Sequence, residues 1–291
     1  MVHSILLHQR IAIDCFCFMA SKPFIVGVLN VTPDSYFDGG KWNSIDLALR
    51  RAEEMIAEGA DWIEVGGEST GPNSKDISLQ EEIDRTIPVI KEIRKRWGSC
   101  QISIDTYKSA VAREAIAAGA SMVNDVTAGR GDRSMFAEVA KCAEVAKLVL
   151  MYSKDPTART TIQPIQYTDV IETIKQFLSE RIDAAVAAGI PRDRIIIDPG
   201  LGHFVSSEPR YSLEIIRRLA ELQTLGCPIF LSPSRKSFLA GSANLPPSER
   251  LPATIATSAI AVLHGASFIR THDVADISSA CDVAWCVCNL R

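Results

Sequence analysis

From Pro23 onward, short apolar runs alternate with longer amphipathic stretches, and the alternation repeats eight times. The runs at 24–29, 62–65, 102–104, 121–123, 148–151, 194–197, 229–231 and 267–269 have the length and residue types of buried strands. Each is followed by apolar residues at three- and four-residue spacing. That spacing predicts helices at 45–58, 79–96, 108–118, 134–143, 167–188, 211–225, 248–264 and 274–290. Three of these helices stop in the same way, at Glu58-Gly-Ala, Ala118-Gly-Ala and His264-Gly-Ala. Glycine accepts the left-handed turn past the last helical residue, and the next strand begins.

Eight strand–helix units in register predict a single (β/α)8 TIM barrel, an α/β fold with its active site at the C-terminal ends of the strands. A doubly wound open sheet is the rival arrangement, but it rarely carries eight uniform units without a second domain. No linker or low-complexity tract divides the chain. The longest irregular stretch, 153–166, reads as a decorated loop between the fifth strand and its helix. Residues 1–18 fit the pattern poorly, since Asp14 interrupts their apolar run and no clear cleavage site follows. They read as an N-terminal extension, with the barrel at 19–291.

Composition narrows the function classes. Hydrophobic residues make up 47% and charged residues 23% of the 291, an ordinary soluble balance. A net charge of −4 argues against nucleic acid or an anionic membrane as the main partner. No apolar run approaches the ~20 residues that span a bilayer. The eight cysteines are scattered through hydrophobic segments without CxxC spacing, which reads as buried reduced thiols in a cytoplasmic protein.

In a barrel of this kind the strand ends can be read directly for chemistry. They carry Asn30 after the first strand, Glu64 to Pro72 at the second, and Asp105 to Lys108 at the third. Asn124-Asp125, Asp198-Pro-Gly200, Ser234-Arg-Lys-Ser237 and Arg270-Thr-His-Asp273 follow at the remaining ends that hold polar chemistry. Each has a plain structural explanation: an aspartate caps a helix, Asn-Asp makes a turn, and Arg270 with His272 forms a solvated rim pair. Seven such clusters converging on one barrel mouth by accident is the weaker account. Asp105, Asn124 and Asp198 supply acceptors and an amide suited to the N–H and C=O edge of a flat heterocycle. Lys236 meets a ring carbonyl or nitrogen from the other side. Asn30, Arg270 and His272 form an electropositive corner suited to phosphate oxygens or a metal-bound phosphate.

At these residues the sequence resembles the dihydropteroate synthase family of the folate pathway, the target of sulfonamide drugs. The resemblance runs from Phe24 to the C-terminus. Its carriers are Asn30-Val-Thr-Pro-Asp-Ser35, Gly66-Gly-Glu-Ser-Thr70, Ser103-Ile-Asp-Thr106, Asn124-Asp125, Asp198-Pro-Gly200, Ser234-Arg-Lys-Ser237 and Arg270-Thr-His272. It implies a barrel that joins 6-hydroxymethyl-7,8-dihydropterin pyrophosphate to p-aminobenzoate with Mg2+, releasing pyrophosphate and 7,8-dihydropteroate. By the same motifs, Glu64, Asp105, Asn124, Met151, Asp198 and Lys236 would hold the pterin. Asn30, Arg270 and His272 would hold the pyrophosphate, with Mg2+ at Asn30. Thr70, Pro72, Phe204, Arg235 and Ser237 would line the aminobenzoate pocket. Asp105, Lys236, Asn30, Arg270 and His272 would be the catalytic set. The family is thought to react by loss of pyrophosphate to a cationic pterin methylene that the arylamine captures, with loops after the first two strands closing to exclude water. A homodimer also follows from the resemblance.

The chain departs from the family pattern at several points. Glu64 stands for the usual Asp, Gly71 for the usual Arg after Glu-Ser-Thr, and Met151-Tyr152 for Met-His. Gly202-His-Phe-Val-Ser206 replaces the usual Gly-Phe-Gly-Lys and, with Ser232 to Leu239, lies closer to sulfonamide-resistant forms. The insertion associated with resistance is absent after Asn124-Asp125, so a sulfonamide-sensitive synthase is expected. Lys75 is a candidate to replace the charge missing at Gly71. Three other readings share parts of this set: a pterin-dependent methyltransferase, a pterin-binding protein without catalysis, and a Schiff-base aldolase built on Lys236.

Overall fold

Alternation with period two sends successive side chains of a strand to opposite faces. The computed structural model describes residues 22–32, 43–72 and 74–290. In it the eight expected strands are β1 (Phe24–Asn30), β2 (Trp62–Gly66), β3 (Gln101–Asp105), β4 (Met122–Asp125), β5 (Lys147–Met151), β6 (Ile195–Asp198), β7 (Ile229–Leu231) and β8 (Ala266–Thr271). They pair in parallel in chain order, and β8 closes on β1. The expected TIM barrel is what forms. The extension at 1–18 and most of the loop after β1 lie outside the described residues.

One parity of the strand residues packs outward against the helices. Ile25, Ile63, Ile102, Ile104, Val123, Leu148, Leu150, Ile195, Ile197 and Ile269 belong to that large core. The other parity points into the barrel. Near its floor Val26, Trp62, Met122, Val149, Ile196, Phe230 and Phe268 form a separate apolar plug. Two residues further along the same strands, that inward parity reads Val28, Glu64, Asn124, Met151, Asp198 and Arg270. The plug thus supports a polar layer from below.

The helices are α1 (Asn43–Ala57), α2 (Leu79–Arg96), α3 (Ser109–Ala118), α4 (Met135–Ala140), α5 (Val170–Ala187), α6 (Pro209–Arg217), α7 (Leu251–Leu263) and α8 (Val274–Cys288). Ser78 opens α2 by accepting the Glu81 N–H at 3.1 Å, and Asp169 opens α5 by accepting those of Ile171 and Glu172. The three glycine stops hold: Gly59, Gly119 and Gly265 have φ of 99°, 116° and 96°. One helix differs from expectation. The stretch expected as a single helix at 211–225 ends as α-helix at Arg217 and continues as 3-10 turns over Leu219–Leu225. Leu219, Leu222 and Leu225 recur every three residues, the 3-10 period, and the first two are buried.

The cysteines also differ in part. Cys227 and Cys281 are buried free thiols and Cys288 is buried too, but Cys286 is exposed on α8. No helix among the described residues is long and apolar enough to cross a membrane.

Phe230 is the largest fully buried side chain of the plug. Phe230→Ala is expected to cost about 3–5 kcal/mol of stability, read by urea unfolding, because the closed barrel collapses poorly around a lost ring.

Candidate active site

Arg270, inward on β8, is the centre of the polar layer. Its Nε donates to Glu64 Oε1, and a terminal nitrogen donates to Asp105 Oδ2 at 2.9 Å. Glu64 is completely buried on β2, and its second oxygen accepts Ser103 Oγ at 3.0 Å and Asn124 Nδ2 at 3.2 Å. Both carboxylate oxygens of Glu64 are therefore committed. In this arrangement Glu64 fixes Arg270 and the Asn124 amide from beneath. The longer side chain explains how a glutamate serves at this strand end, since it reaches both neighbours at once.

With its NH2 turned to Glu64, Asn124 leaves Oδ1 buried and without a partner among the described residues. A buried acceptor of this kind costs about 1–3 kcal/mol until something donates to it. Asp105 and Asp198 stand on β3 and β6, at strand ends on either side of Asn124. Burial pushes Asp105 up to about 7 against the pull of Arg270, and Asp198 up to about 6 against that of Lys236. Asp198 Oδ1 also accepts the Gly200 N–H at 2.7 Å. That turn needs glycine: φ is 68°, and a Cβ there would sit 2.4 Å from the Tyr152 carbonyl oxygen. Met151 ends β5 in a small apolar cluster with Val126 and Ala158, against Tyr107 and Phe204. Asp125, of the opposite parity to Asn124, caps the following turn through Thr127 and Gly129 and takes no part in the site.

Lys236 enters from the loop after β7. Burial lowers its pKa to about 8, although Asp198 and Asp105 favour its charged form. Its Nζ lies 3.4 Å from the Leu201 carbonyl oxygen and 5.3 Å from the centre of the Phe204 ring. The preceding residue, Arg235, corrects an expectation. Its Nε and terminal nitrogen pair with the two Asp273 oxygens at 2.9 and 2.6 Å, and its other arm donates to the carbonyls of Pro247 and Ser248. Its backbone is left-handed, with φ of 53°. Arg235 is thus a brace between the loops after β7 and β8, and its turn presents Lys236 to the mouth. It does not line the small cavity described next.

That cavity, about 210 Å3, adjoins the polar layer and is lined by Pro72, Thr160, His203, Phe204, Lys236 and Ser237, among others. An apolar cavity of about 150 Å3 holds benzene, so this one suits one substituted aromatic ring. Pro72, Phe204 and Ser237, expected to line an aromatic pocket, are on these walls. Thr70 is not among the walls; its carbonyl meets the Thr160 N–H at 3.5 Å. Thr160 and His203 were missed, one hidden in the decorated loop and the other within a departure from the family pattern. Lys75 is exposed and offers only its carbonyl, to Arg159.

At the anionic corner, the Ser234 hydroxyl lies 3.1 Å from His272 Nδ1 and accepts the His272 backbone N–H at 3.3 Å. Burial first, and then Arg270, lowers the imidazole to about 4, so the ring is neutral near pH 7. If the hydroxyl donates to Nδ1, the ring keeps its Nε2–H free for an anion. Asn30 ends β1, exposed, with its side-chain oxygen near Gly66.

A family model described as pterin binding enzyme matches residues 26–272, which sets the class as that of the pterin-binding barrels. A curated dihydropteroate synthase of Clostridium beijerinckii is 41% identical over 90% of this chain and 93% of its own length. Among solved structures, Xanthomonas albilineans dihydropteroate synthase with 4-aminobenzoic acid aligns at a TM-score of 0.85, with 34% identity over 93% of this chain and 94% of that one. The Yersinia pestis enzyme in a sulfonamide drug complex aligns at 0.83, with 33% identity over 91% and 94%. The chain belongs to the dihydropteroate synthase family.

With Asp105, Asp198 and Lys236 as the pterin contacts that the sequence implies, the ionisation of the site predicts how pterin binding depends on pH. Ring N–H groups favour ionised Asp198 and Asp105, so affinity rises as pH climbs through about 6 and about 7. A ring acceptor needs the charged ammonium of Lys236, so affinity falls above about 8. Calorimetric titration should give a bell with its top between these limits, and Asp198→Asn should remove the step near 6. A flat profile would contradict the assignment.

Proposed function

We propose that this chain condenses 6-hydroxymethyl-7,8-dihydropterin pyrophosphate with p-aminobenzoate to give 7,8-dihydropteroate and pyrophosphate. The observation that carries the reading is Asn124 Oδ1, without a partner among the described residues and held among Asp105, Asp198 and Lys236. That set matches the alternating donors and acceptors of an aminopyrimidinone edge, and the aromatic cavity lies alongside it. A methyltransferase or aldolase has no use for the second cavity and the Asn30, Arg270 and His272 corner together.

In this scheme Asp105, Asn124, Asp198 and Lys236 hold the pterin, with Met151 under the ring. The C–O bond between the pterin methylene and pyrophosphate breaks, and the leaving group takes the electron pair. Arg270 and neutral His272 stabilise that anion through N–H donors already in place. Positive charge left on the pterin methylene is favoured by the neighbouring carboxylates. The arylamine, held by Pro72, Phe204 and Ser237, then forms the C–N bond and loses its proton. The loops around the cavity limit access of water, which would capture the same carbon.

A Mg2+ ion fits this corner only in part. No cluster of three acidic, histidine or cysteine ligands exists among the described residues, and Asn30 offers a single amide oxygen. Mg2+ commonly keeps several waters and binds through substrate phosphates, so Asn30 with the pyrophosphate makes a sufficient donor set. When bound, the ion would neutralise leaving-group charge.

The 4-aminobenzoic acid and sulfonamide complexes of the related enzymes support sulfonamides as competitors for the aromatic cavity here. We also propose a homodimer through α7 and α8. Val283 is 64% exposed, and Val287 and Ile260 are exposed too, whereas Ala284 and Cys288 of the same helix are buried on the barrel. Free thiols support a cytoplasmic working place.

Pyrophosphate release should require p-aminobenzoate and Mg2+, yield dihydropteroate, and be inhibited competitively by a sulfonamide. Lys236→Ala should lower kcat/KM about a hundredfold without unfolding the barrel. Release that ignores p-aminobenzoate, or tight pterin binding without turnover, would overturn the reading.

A further inference from the structure

The loop after β5 crosses the mouth and brings Arg159 against the loop after β2. Its guanidinium binds Glu68 and Asp76, donates through Nε to the Ser74 carbonyl at 3.0 Å, and reaches the Lys75 carbonyl at 2.5 Å. Asp76 is 82% exposed, so that pair is screened. Glu68 is different. Its side chain is 3% exposed, and its other oxygen accepts Lys108 Nζ at 2.6 Å. Lys108 is fixed in turn by Glu82 of α2 at 2.6 Å and the Ile77 carbonyl at 3.0 Å. The two cations hold the Glu68 carboxyl below the usual carboxylate range despite its burial.

Tyr107 links this network to the site: its hydroxyl lies 3.4 Å from Glu68 Oε1, and its ring packs in the Met151 cluster with Phe204. The network also frames the cavity. Gly71 and Pro72 form one wall, between Glu68 and the carbonyls that Arg159 grips. Thr160, next to Arg159, forms another wall; its hydroxyl donates to the His203 carbonyl at 2.7 Å, and its N–H faces the Thr70 carbonyl. One short segment of the β5 loop therefore ties together the loops after β2 and β6 around the aromatic cavity. Among the described residues a Cβ at Gly71 would meet only Ser69 Oγ, at 3.6 Å, and the Gly71 carbonyl accepts the Ser74 hydroxyl at 2.7 Å, so this wall is tied to the Ser74 whose carbonyl Arg159 holds.

We propose that Arg159 is a positioning residue for the arylamine half-site. Resting on the synthase reading above, it sets the distance between the Gly71–Pro72 wall and Phe204 by pinning the β2 loop, without touching either substrate. Its donors are already engaged by protein acceptors, so it does not act as an anion ligand. A lysine at 159 lacks the planar fork that reaches carboxylate and carbonyls together.

The test compares wild type, R159K and R159M with each substrate varied in turn, alongside amide hydrogen exchange at 68–72. R159M should raise KM for p-aminobenzoate about tenfold, with kcat and KM for the pterin substrate within about twofold. Exchange at 68–72 should quicken while the thermal midpoint moves little, and R159K should fall between the two. An unchanged KM for p-aminobenzoate with unchanged exchange in an active R159M enzyme overturns the inference. So does an equal loss toward both substrates. Should R159M not fold, R159K with wild-type KM values and exchange overturns it as well. A wild-type protein that makes no dihydropteroate sinks the synthase reading instead, a result separable from all of these.

Discussion

A guanidinium placed inside a closed barrel must be neutralised where it stands, and the pairing of Arg270 with Glu64 and Asp105 does this. The rest of the site depends on that pairing. It consumes one oxygen of Glu64, and the other orients the Asn124 amide so that its carbonyl oxygen is left for a ligand. It adds positive charge beside Lys236 and His272, which helps keep the imidazole neutral. The three residues come from β8, β3 and β2, so only closure of β8 on β1 brings them together.

Around this buried centre, two outer ties shape the loops. Arg235 joins the loops after β7 and β8 through Asp273, which places Lys236 and His272 on either side of one brace. Arg159 joins the loops after β5 and β2 through Glu68. Both arginines use the planar fork to meet a carboxylate and main-chain carbonyls at once, a geometry that lysine cannot copy. The binding surface itself is left to less saturated groups: Asn124 Oδ1, the raised carboxyls of Asp105 and Asp198, and the lowered ammonium of Lys236. The fully bonded arginines of the two ties hold the shape, and the groups short of partners are left for the ligand proposed above.

The apolar plug beneath explains why the charged layer is tolerable. Trp62, Met122, Phe230 and Phe268 close the barrel floor and keep water from reaching the layer from below. Burial of Asp105, Asp198 and Lys236 follows, and with it the shifts that bring three ionisations near neutral pH. The same plug makes the barrel rigid enough to hold an orphan acceptor without relaxing around it.

The sequence by itself determined the eight units, the helix stops at Gly59, Gly119 and Gly265, and the strand ends that carry Asp105, Asn124, Asp198, Lys236 and Arg270. These are local properties: periodicity decides which face is buried, and a glycine decides where a helix can turn. It did not show that Glu64 and Arg235, which looked like ligand contacts, are each committed to several protein partners. Nor did it show Thr160 and Arg159, on the loop after β5, or His203, on the turn after β6, where no periodicity marks them. Arg159 meets Glu68, Ser74 and Lys75 from more than eighty positions away, and whether a charge faces a ligand or a protein carboxylate depends on what the closed barrel places beside it.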